Sequence, residues 1–487
     1  MPKGASGNCL LVLKSIYGLR DAGARFAALF KAKLESMDFE QCKDELCVYR
    51  WMDESDEVGF LAGHFVDDVI ALGPDDHPFW IELEKEYGVI VDLEARKMIG
   101  MYMVHSVNLR HVYLMMSEYK MEYVTRIGMV NAKTVDTPFP IDAKLGKNEV
   151  TDAEMAEVRN FPFLVFLGMA NWIAQSLHVE LIGPLSIISS SQPFGPEHKR
   201  CLEHMGKYLH GKQYFGLRLG SSEGDRKLVV YCDAAFPSCY PSSKCRAGII
   251  VGKGLISDDG FSVVEMSTLT TTSKVQTMPS ASVVQAEYQV LLPAAKQVLW
   301  ARKLERFIGN PQAPGTPIYC DSSGAISLVT HEKLNKETRH IANRFHFARA
   351  HKARGDLDII KIPTDVNAAD QPTKPLAQPK ADKFLAHFGI VDVAEIMKKE
   401  KIEGLSLVQR HNEYEKSDHY RAVQAKVARE VALAKSYPDY AEEDCFVYDP
   451  REIGDGYAIV HGASRNRGGV LSTRRLSAKE YRDRWTS

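Results

Sequence analysis

The sequence predicts a mixed fold class, both α/β and α+β, laid out in four consecutive segments. Residues 226–378 contain three strand-like runs followed by alternating helices and strands, a pattern typical of a mixed five-stranded sheet with flanking helices. Residues 1–145 combine a helix with short strands, whereas residues 146–225 are largely helical and apolar. Residues 379–487 are rich in charge, and they predict a helical C-terminal extension.

The elements within these segments follow from short apolar runs bounded by turn residues. In residues 1–145, the front segment, we expect a helix at 22–37 and strands near 47–50 and 59–72. In the segment 226–378 the predicted strands are 228–233, 247–252, 261–266, 317–321 and 357–362, and the predicted helices are 283–308 and 338–353. Pro293 falls inside the first of these helices, where a proline removes a main-chain hydrogen bond and costs about 3 kcal/mol.

Length and composition indicate an ordinary intracellular globular protein. The chain has 487 residues, enough for roughly two to four domains, and its 45% hydrophobic and 25% charged residues exclude a disordered chain. The net charge of −2 excludes a basic field over the whole protein, so any nucleic-acid binding depends on local patches. Nine dispersed cysteines indicate reduced thiols. Since no segment has the pattern of a secretory leader or a membrane span, we expect a protein of the cytoplasm or nucleus with no membrane partner.

Four carboxylates stand where elements of the predicted sheet begin or end. Asp233 ends the first strand and Asp321 ends the fourth. Glu287 lies near the start of the long helix, and Asp370 follows the fifth strand. A single acid at such a position is usually a helix cap or a solvated loop residue. Four of them in one sheet predict a cluster that needs compensating positive charge. Hard oxygen ligands favour Mg²⁺ or Mn²⁺, and two such ions about 4 Å apart promote phosphodiester hydrolysis.

The helical segment that follows Asp321 carries an excess of positive charge. Between His331 and Arg354 there are seven Lys and Arg residues against two acids. Such a run is most often a solvated helix face, but beside a metal site it is well placed to contact nucleic-acid phosphates. The residues predicted to make these contacts are Lys336, Arg339, Arg344, Arg349 and Lys352.

In the front segment, Asp67 and Asp68 stand between two apolar strand-like runs. The pattern predicts a hairpin that brings both carboxylates to the edge of a sheet. Adjacent acids are also common in plain hairpin turns, so the pair by itself does not distinguish a turn from a site.

Five stretches of the segment 226–378 are individually specific. They are residues 231–234 (Tyr-Cys-Asp-Ala), 285–288 (Gln-Ala-Glu-Tyr), 319–322 (Tyr-Cys-Asp-Ser), the basic tract 338–347, and 369–376 (Ala-Asp-Gln-Pro-Thr-Lys-Pro-Leu). Together they resemble the ribonuclease H domain in the Pol polyproteins of copia-type (Pseudoviridae) retrotransposons. The resemblance implies endonucleolytic cleavage of the RNA strand of RNA–DNA hybrids. It also implies that two Mg²⁺ or Mn²⁺ ions are held by Asp233, Glu287, Asp321 and Asp370.

Two stretches of the front segment point to the same polyproteins. Residues 61–70 (Leu-Ala-Gly-His-Phe-Val-Asp-Asp-Val-Ile) resemble the Tyr-Val-Asp-Asp motif of reverse transcriptases, with Phe65 in the place of Tyr. Residues 14–20 (Lys-Ser-Ile-Tyr-Gly-Leu-Arg) are similar to the copia motif Lys-Ser-Leu-Tyr-Gly-Leu-Lys. The resemblance implies a truncated palm and thumb followed by a helical connection. Nucleotide transfer needs a further carboxylate from an earlier strand, which that family has upstream, so we expect Asp67 and Asp68 to belong to an incomplete polymerase site.

Two other functions remain compatible with these residues. The chain could be a catalytically inactive relic, or a nucleic-acid-binding module that acts through the basic helix. It could also be another nuclease or transposase of the ribonuclease H superfamily, although the polymerase-like motifs disfavour that interpretation. Binding of a hybrid without cleavage, insensitive to Asp233→Asn, would favour the inactive module.

Overall fold

Strands and helices alternate along the chain in the computed structural model. It describes residues 22–66, 68–87, 97–108, 110–145, 151–220, 224–239, 244–330, 346–402, 463–465 and 471–473. The described elements up to residue 145 are α1 (Ala22–Glu35), β1 (Glu40–Gln41), β2 (Val48–Met52), β3 (Val58–Phe65), β4 (Asp68–Leu72), α2 (Pro78–Tyr87), β5 (Lys97–Met98), β6 (Met101–His105), β7 (His111–Met115) and α3 (Ser117–Arg126). The next are α4 (Asp152–Val158), α5 (Phe163–Ser176), α6 (Ile182–Ser190), α7 (Pro196–Gly211) and β8 (Phe215–Gly220).

The remaining elements contain the segment in which the sequence predicts a single sheet. They are β9 (Lys227–Cys239), β10 (Lys244–Ile256), β11 (Val263–Val275), α8 (Val283–Phe307), β12 (Thr316–Cys320), α9 (Ser323–Thr330), α10 (Phe347–Ala353), β13 (Leu357–Lys361), α11 (Gln378–His387), β14 (Ile390–Asp392), α12 (Val393–Glu400), β15 (Ala463–Arg465) and β16 (Leu471–Thr473). Residues 403–462 of the predicted helical extension lie outside the described residues.

The chain divides into two units. Residues 1–29 and 430–487 form the first, whose described part comprises the start of α1 and an antiparallel pair of β15 and β16. Residues 30–429 form the second, and they contain the other elements described here. None of the helices in the described part of the chain has both the length and the apolar character needed to cross a membrane.

The predicted five-stranded sheet is present, with strand order β11-β10-β9-β12-β13. The first three strands are antiparallel, and β12 runs parallel to both β9 and β13. Successive side chains of a strand point to opposite faces, and both faces are buried. Val229 and Tyr231 join a core with the helices of the segment 146–225, whereas Val230 and Cys232 join a core with α8. The sheet is therefore covered on both sides, as a mixed sheet with flanking helices requires.

The helix α8 continues without interruption through Pro293. Proline removes the main-chain N–H that would bond to the residue four positions earlier, so the helix loses one hydrogen bond at this point. Apolar burial along both halves offsets that loss, since Leu291 and Ala294 are fully buried on either side of the proline. Glu287 lies ahead of Pro293, in the part of the helix that precedes the lost main-chain hydrogen bond.

Two further sheets lie in the second unit. Strands β1 to β4 form an antiparallel sheet in sequential order, and its β3–β4 hairpin is the one that the sequence predicts. The other sheet has the order β14-β8-β7-β6-β5. It joins strands from the front segment, from the end of the helical segment and from the C-terminal extension. The segment boundaries at 145, 225 and 378 stay a prediction.

A partly buried histidine at the end of α11 predicts a contribution to stability that is lost in acid. The Nε2 atom of His387 is buried without a hydrogen-bond partner among the described residues, and its ring lies 5.1 Å from that of Tyr231. Burial, helped by the charge of Lys383, lowers the pKa of His387 to about 4. An unfolded histidine has a pKa of about 6.5. Below that pH the unfolded state takes up a proton that the folded state does not, so His387 lowers the free energy of unfolding by roughly 1–3 kcal/mol as the pH falls towards 4.

We therefore expect the wild type to lose stability relative to His387→Phe as the pH falls from 6.5 to 4. Unfolding temperatures measured for both proteins across this range test the expectation. Parallel pH profiles for the two proteins would contradict it.

Candidate metal centre

Asp233 is held on strand β9 by a side chain from a distant turn. It pairs with Gly248 of β10, and only 4% of it is exposed. The Oγ1 of Thr373 donates a hydrogen bond of 2.5 Å to its Oδ2. Alternation along β9 places Asp233 on the sheet face of Val229 and Tyr231, away from α8.

Glu287 reaches the same end of the sheet from the second turn of α8. The helix begins after Ser282, whose Oγ accepts a hydrogen bond from the main-chain N–H of Gln285 at 3.2 Å. Glu287 is 5% exposed, and its Oε1 accepts a long hydrogen bond of 3.4 Å from the main-chain N–H of Ala234. Its Oε2 is buried with no hydrogen-bond partner among the described residues. An oxygen of this kind is a candidate metal ligand because its burial is otherwise uncompensated.

Asp321 follows directly on strand β12, and the residue before it also belongs to the centre. Ligand atoms of Glu287, Cys320 and Asp321 all lie within 4.8 Å of one another, the one such group among the described residues. Cys320 is fully buried, whereas Asp321 is partly exposed. The parallel pairing of β12 with β9 brings Asp321 to the same edge of the sheet as Asp233.

Asp370 ends a short 3₁₀ turn, Ala368–Asp370, and is fully buried. Its carboxylate is engaged by two lysines. The Nζ of Lys374 lies 2.5 Å from Oδ1, and Lys380 forms an ion pair with Oδ2. Asn367 anchors the turn, because its Nδ2 donates to the main-chain oxygen of Cys232 at 3.1 Å. Asp370 is thus tied to the sheet through the main chain of β9.

The charges of these groups act on one another. Burial raises the pKa of Asp233, and the charge of Asp370 raises it further. Burial and the charge of Asp233 likewise raise the pKa of Glu287. Burial opposes the charged form of Lys374, but the carboxylates of Asp233 and Asp370 outweigh it and raise the pKa of Lys374. Negative charge is therefore concentrated beyond what the nearby cations offset, and a further cation is favoured.

The turn that carries Asp370 is wedged between β10 and α6. A Cβ atom at Gly248 would lie 2.5 Å from Cγ2 of Thr373, and one at Gly183 would lie 2.5 Å from the main-chain oxygen of Gln371. The Nε2 of Gln371 also donates to the main-chain oxygen of Glu180 at 3.3 Å. Close packing of the segment 146–225 against this turn therefore helps to set the position of Asp370.

The structure brings the four predicted acids to one end of the sheet, in two groups. Asp233 and Asp370 form one group with Thr373 and its neighbouring lysines, whereas Glu287 and Asp321 form the other with Cys320. Ala234, the residue after Asp233, connects the two groups, because its main-chain N–H donates a hydrogen bond to Glu287.

The other predicted residues are only partly described. Asp67, Lys336, Arg339 and Arg344 lie outside the described residues. Asp68 begins β4, and its Oδ2 accepts a hydrogen bond of 2.8 Å from the main-chain N–H of Ile99. Arg349 donates to the main-chain oxygen of Leu328, and Lys352 forms an ion pair with Asp358. The nucleic-acid contacts of these basic residues stay a prediction.

Four residues of the centre have no role in the prediction from sequence. Thr373 and Lys374 lie inside the signature 369–376, and Cys320 precedes Asp321 in the stretch 319–322, so the motifs contained them. Lys380 stands in α11 with no signal in the local sequence that could have linked it to Asp370.

Comparison with known proteins finds similarity to retrotransposon polyproteins. No family model matches the sequence. It is 26% identical over 370 residues to the Retrovirus-related Pol polyprotein from transposon TNT 1-94 of Nicotiana tabacum, covering 74% of this chain and 26% of that protein. It is 23% identical over 393 residues to the Pol polyprotein from transposon RE1 of Arabidopsis thaliana, covering 78% of this chain and 25% of that protein. The chain thus spans about a quarter of the length of the curated relatives it matches.

Among solved structures, the chain shows a likeness to the N-terminal RNase H domain of rv2228c from Mycobacterium tuberculosis, solved as a fusion with maltose-binding protein. The sequence identity is 16%, the TM-score is 0.21, and the match covers 34% of this chain and 99% of that one. A TM-score of this size does not establish a shared fold. The sequence comparisons do confirm the resemblance read from the motifs: this chain is a relative of the Pol polyproteins of copia-type retrotransposons.

Proposed function

We propose that the segment 226–378 is a metal-dependent nuclease that cuts the RNA strand of RNA–DNA hybrids. The observation that carries the proposal is the convergence of four carboxylates at one end of a mixed sheet. They are Asp233, Glu287, Asp321 and Asp370. The relatives of the chain are Pol polyproteins, and this supports its assignment as a Pol fragment.

The residues of the centre fit hard divalent cations. The buried Oε2 of Glu287 has no hydrogen-bond partner among the described residues, and the pKa of both Glu287 and Asp233 is raised by burial and by neighbouring charge. Asp233, Glu287 and Asp321 would hold the cation. Asp370 would join them if its carboxylate bound the metal in place of its ion pairs with Lys374 and Lys380. Two divalent ions, Mg²⁺ or Mn²⁺, supply an activated water and stabilise the leaving oxygen in phosphodiester hydrolysis.

The rest of the centre serves to hold these ligands in place. Thr373 fixes the side chain of Asp233 through its hydrogen bond, and Asn367 fixes the turn of Asp370. Lys374 offsets negative charge that would otherwise repel an incoming phosphate. The basic residues Arg349 and Lys352 of α10 lie between Asp321 and Asp370 in the chain. We propose that they, with the basic residues before α10, hold the duplex by its phosphates, which requires no base sequence.

We also propose that the front segment derives from the palm and thumb of a reverse transcriptase. The β3–β4 hairpin supports this, because it carries Asp68 at the edge of its sheet as the motif requires. The turn residue Val66 has a φ of 55°, a conformation that β-branched residues rarely adopt and that is found at functional turns. Asp67 and Asp68 would need a further carboxylate to transfer nucleotides.

A cleavage assay tests the proposed nuclease. We expect the full chain, given Mg²⁺ or Mn²⁺, to cut the labelled RNA strand of a hybrid at internal positions and to leave the DNA strand intact. Removal of the metal with EDTA should stop cutting, because the proposed reaction depends on the metal to activate the water. Asp321→Asn should also lose cleavage, whereas Asp258→Asn, which changes an exposed acid in the turn after β10, should keep it. An uncut hybrid in both metals, beside a working control nuclease, rejects the proposal.

The ion pairs of Asp370 favour a second candidate, a module that binds hybrids without cutting them. Lys374 and Lys380 together neutralise this carboxylate and compete with any metal for it. Such a module would bind a hybrid with equal affinity in the presence of EDTA and of Mg²⁺. Gel-shift measurements in both conditions, beside the cleavage assay, distinguish the two candidates.

A further inference from the structure

We propose that Cys320, Glu287 and Asp321 form a binding site for a thiophilic divalent cation such as Cd²⁺ or Zn²⁺, with the sulfur of Cys320 as a direct ligand. The inference extends the proposed metal centre to a second class of cation. It concerns metal binding alone, so it does not require the chain to cleave nucleic acid.

The geometry of the three side chains carries the inference. Their ligand atoms lie within 4.8 Å of one another, so one ion placed between them can contact all three. Cys320 and Asp321 are consecutive residues at the end of β12, and Glu287 approaches from α8. This set combines one sulfur with two carboxylates. Asp233 and Asp370 do not belong to it.

A second observation points independently to a missing ligand. The Oε2 of Glu287 is buried and lacks a hydrogen-bond partner among the described residues. Only 5% of Glu287 is exposed. Within the described part of the chain, its other oxygen accepts one hydrogen bond, a long one of 3.4 Å from the main-chain N–H of Ala234. Native proteins rarely leave a buried carboxylate oxygen without a partner, and a bound cation supplies one.

The chemistry of the donors determines which cation is favoured. Mg²⁺ takes oxygen ligands and gains little from a thiolate, whereas Zn²⁺ and similar soft or borderline cations bind sulfur at about 2.3 Å together with carboxylate oxygen. The main-chain N–H of Ser322 donates to the Sγ of Cys320 at 3.4 Å, and a metal-bound thiolate can accept the same bond. On binding, the S–H bond is replaced by a bond to the cation, and the proton passes to the buffer.

The neighbouring Cys232 provides a matched control. It is fully buried like Cys320, it precedes Asp233 as Cys320 precedes Asp321, and its thiol interacts with that of Cys320. However, its Sγ lies outside the group of three ligand atoms and donates to the main-chain oxygen of Tyr319 at 3.7 Å. Replacing Cys232 therefore leaves the proposed donor set complete.

The test is a titration of the full chain with Cd²⁺, followed by sulfur-to-cadmium charge-transfer absorption in the ultraviolet. We expect Cys320→Ser to lose one thiolate equivalent of this absorption. We also expect its Cd²⁺ affinity to fall at least tenfold, since even residues outside the ligand set change metal affinity by about 10–100-fold. Cys232→Ser should keep both. Glu287→Gln should retain the thiol but bind Cd²⁺ more weakly, which separates a lost ligand from a lost fold; circular dichroism verifies folding of each variant.

Equal absorption and affinity in wild type and Cys320→Ser would overturn the inference, as would a loss confined to Cys232→Ser. Neither result touches the nuclease proposal, which depends on cleavage by the wild-type protein in Mg²⁺. Conversely, a chain that cuts no hybrid can still show the Cys320-dependent absorption.

Discussion

Replacing Asp233 by Asn is expected to abolish hybrid cleavage and, in the absence of metal, to stabilise the folded protein. Asn has the same shape, and its Oδ1 can still accept the hydrogen bond from Thr373. The substitution removes a negative charge that would bind metal. Cleavage should therefore fall at least about a hundredfold, because removal of one group that stabilises a transition state has an effect of this size.

The gain in stability follows from the electrostatics of the centre. Burial and the charge of Asp370 raise the pKa of Asp233 in the folded protein. Ionisation of this carboxyl group therefore favours the unfolded state. Stability is lost as the pH rises from the pKa of the unfolded state to that of the folded state. Removing the charge should recover roughly 1–3 kcal/mol at pH 8. Thermal unfolding in EDTA measures this gain. With Mg²⁺ present, we expect the wild type to recover part of the difference.

Asp258→Asn is the control, because it changes an exposed acid in the turn after β10 and should alter neither property. If Asp233→Asn still cuts within a few-fold of wild type, Asp233 is not a metal ligand in the reaction. If the variant is less stable than wild type in EDTA at pH 8, the charge of Asp233 is better compensated than we infer.

The second large effect is expected from Gly248→Ala on strand β10. The added methyl group would lie 2.5 Å from Cγ2 of Thr373 and 2.9 Å from the main-chain oxygen of Ala369. The Cγ of Pro372, from the same turn, would also lie 2.9 Å from it, so the turn that carries Asp370 must move. Overpacking of this kind costs about 1–3 kcal/mol. A shift of about 1 Å in a catalytic group can reduce the rate about a hundredfold.

The matched control for this substitution is Gly168→Ala in α5. A Cβ at Gly168 would meet no atom within 4 Å, and the residue lies inside a helix. Alanine there should stabilise the protein by up to about 1 kcal/mol and leave cleavage unchanged. Cleavage rate and unfolding temperature are measured for both variants. Full activity in Gly248→Ala would show that the position of the turn does not limit the reaction.

The strands of the central sheet show how far local sequence pattern reaches. All five predicted runs are strands, but β9, β10 and β11 extend well beyond the predicted 228–233, 247–252 and 261–266. Apolar periodicity identifies the buried middle of a strand. The ends of these strands carry polar residues such as Lys227 and Lys274, whose strand conformation depends on pairing with neighbours. Similarly, β8 and β14 belong to a sheet with β5 to β7 because of pairings between residues far apart in sequence.

The acids of the centre show the same division. Residue type and position at element ends, together with the contiguous motifs around them, were enough to predict Asp233, Glu287, Asp321 and Asp370 as a set, although any one of them alone is more often a cap or a solvated residue. Their partners were not predictable in this way. Lys380 reaches Asp370 from a later helix, and Thr373 reaches Asp233 across the sheet.

Sequence alone therefore determined the class of fold and the relationship to copia-type Pol polyproteins, and it predicted the four acids of the site. Each of these is encoded in local periodicity or in contiguous motifs. The tertiary structure decided how the acids meet, with Asp233 near Asp370 through Thr373, and with Glu287 and Asp321 beside Cys320. That grouping depends on the pairing of β12 with β9 and on the packing of α8 and the 368–373 turn against the sheet. Contacts of this range are set by the folded chain as a whole, since no short stretch of sequence contains both partners.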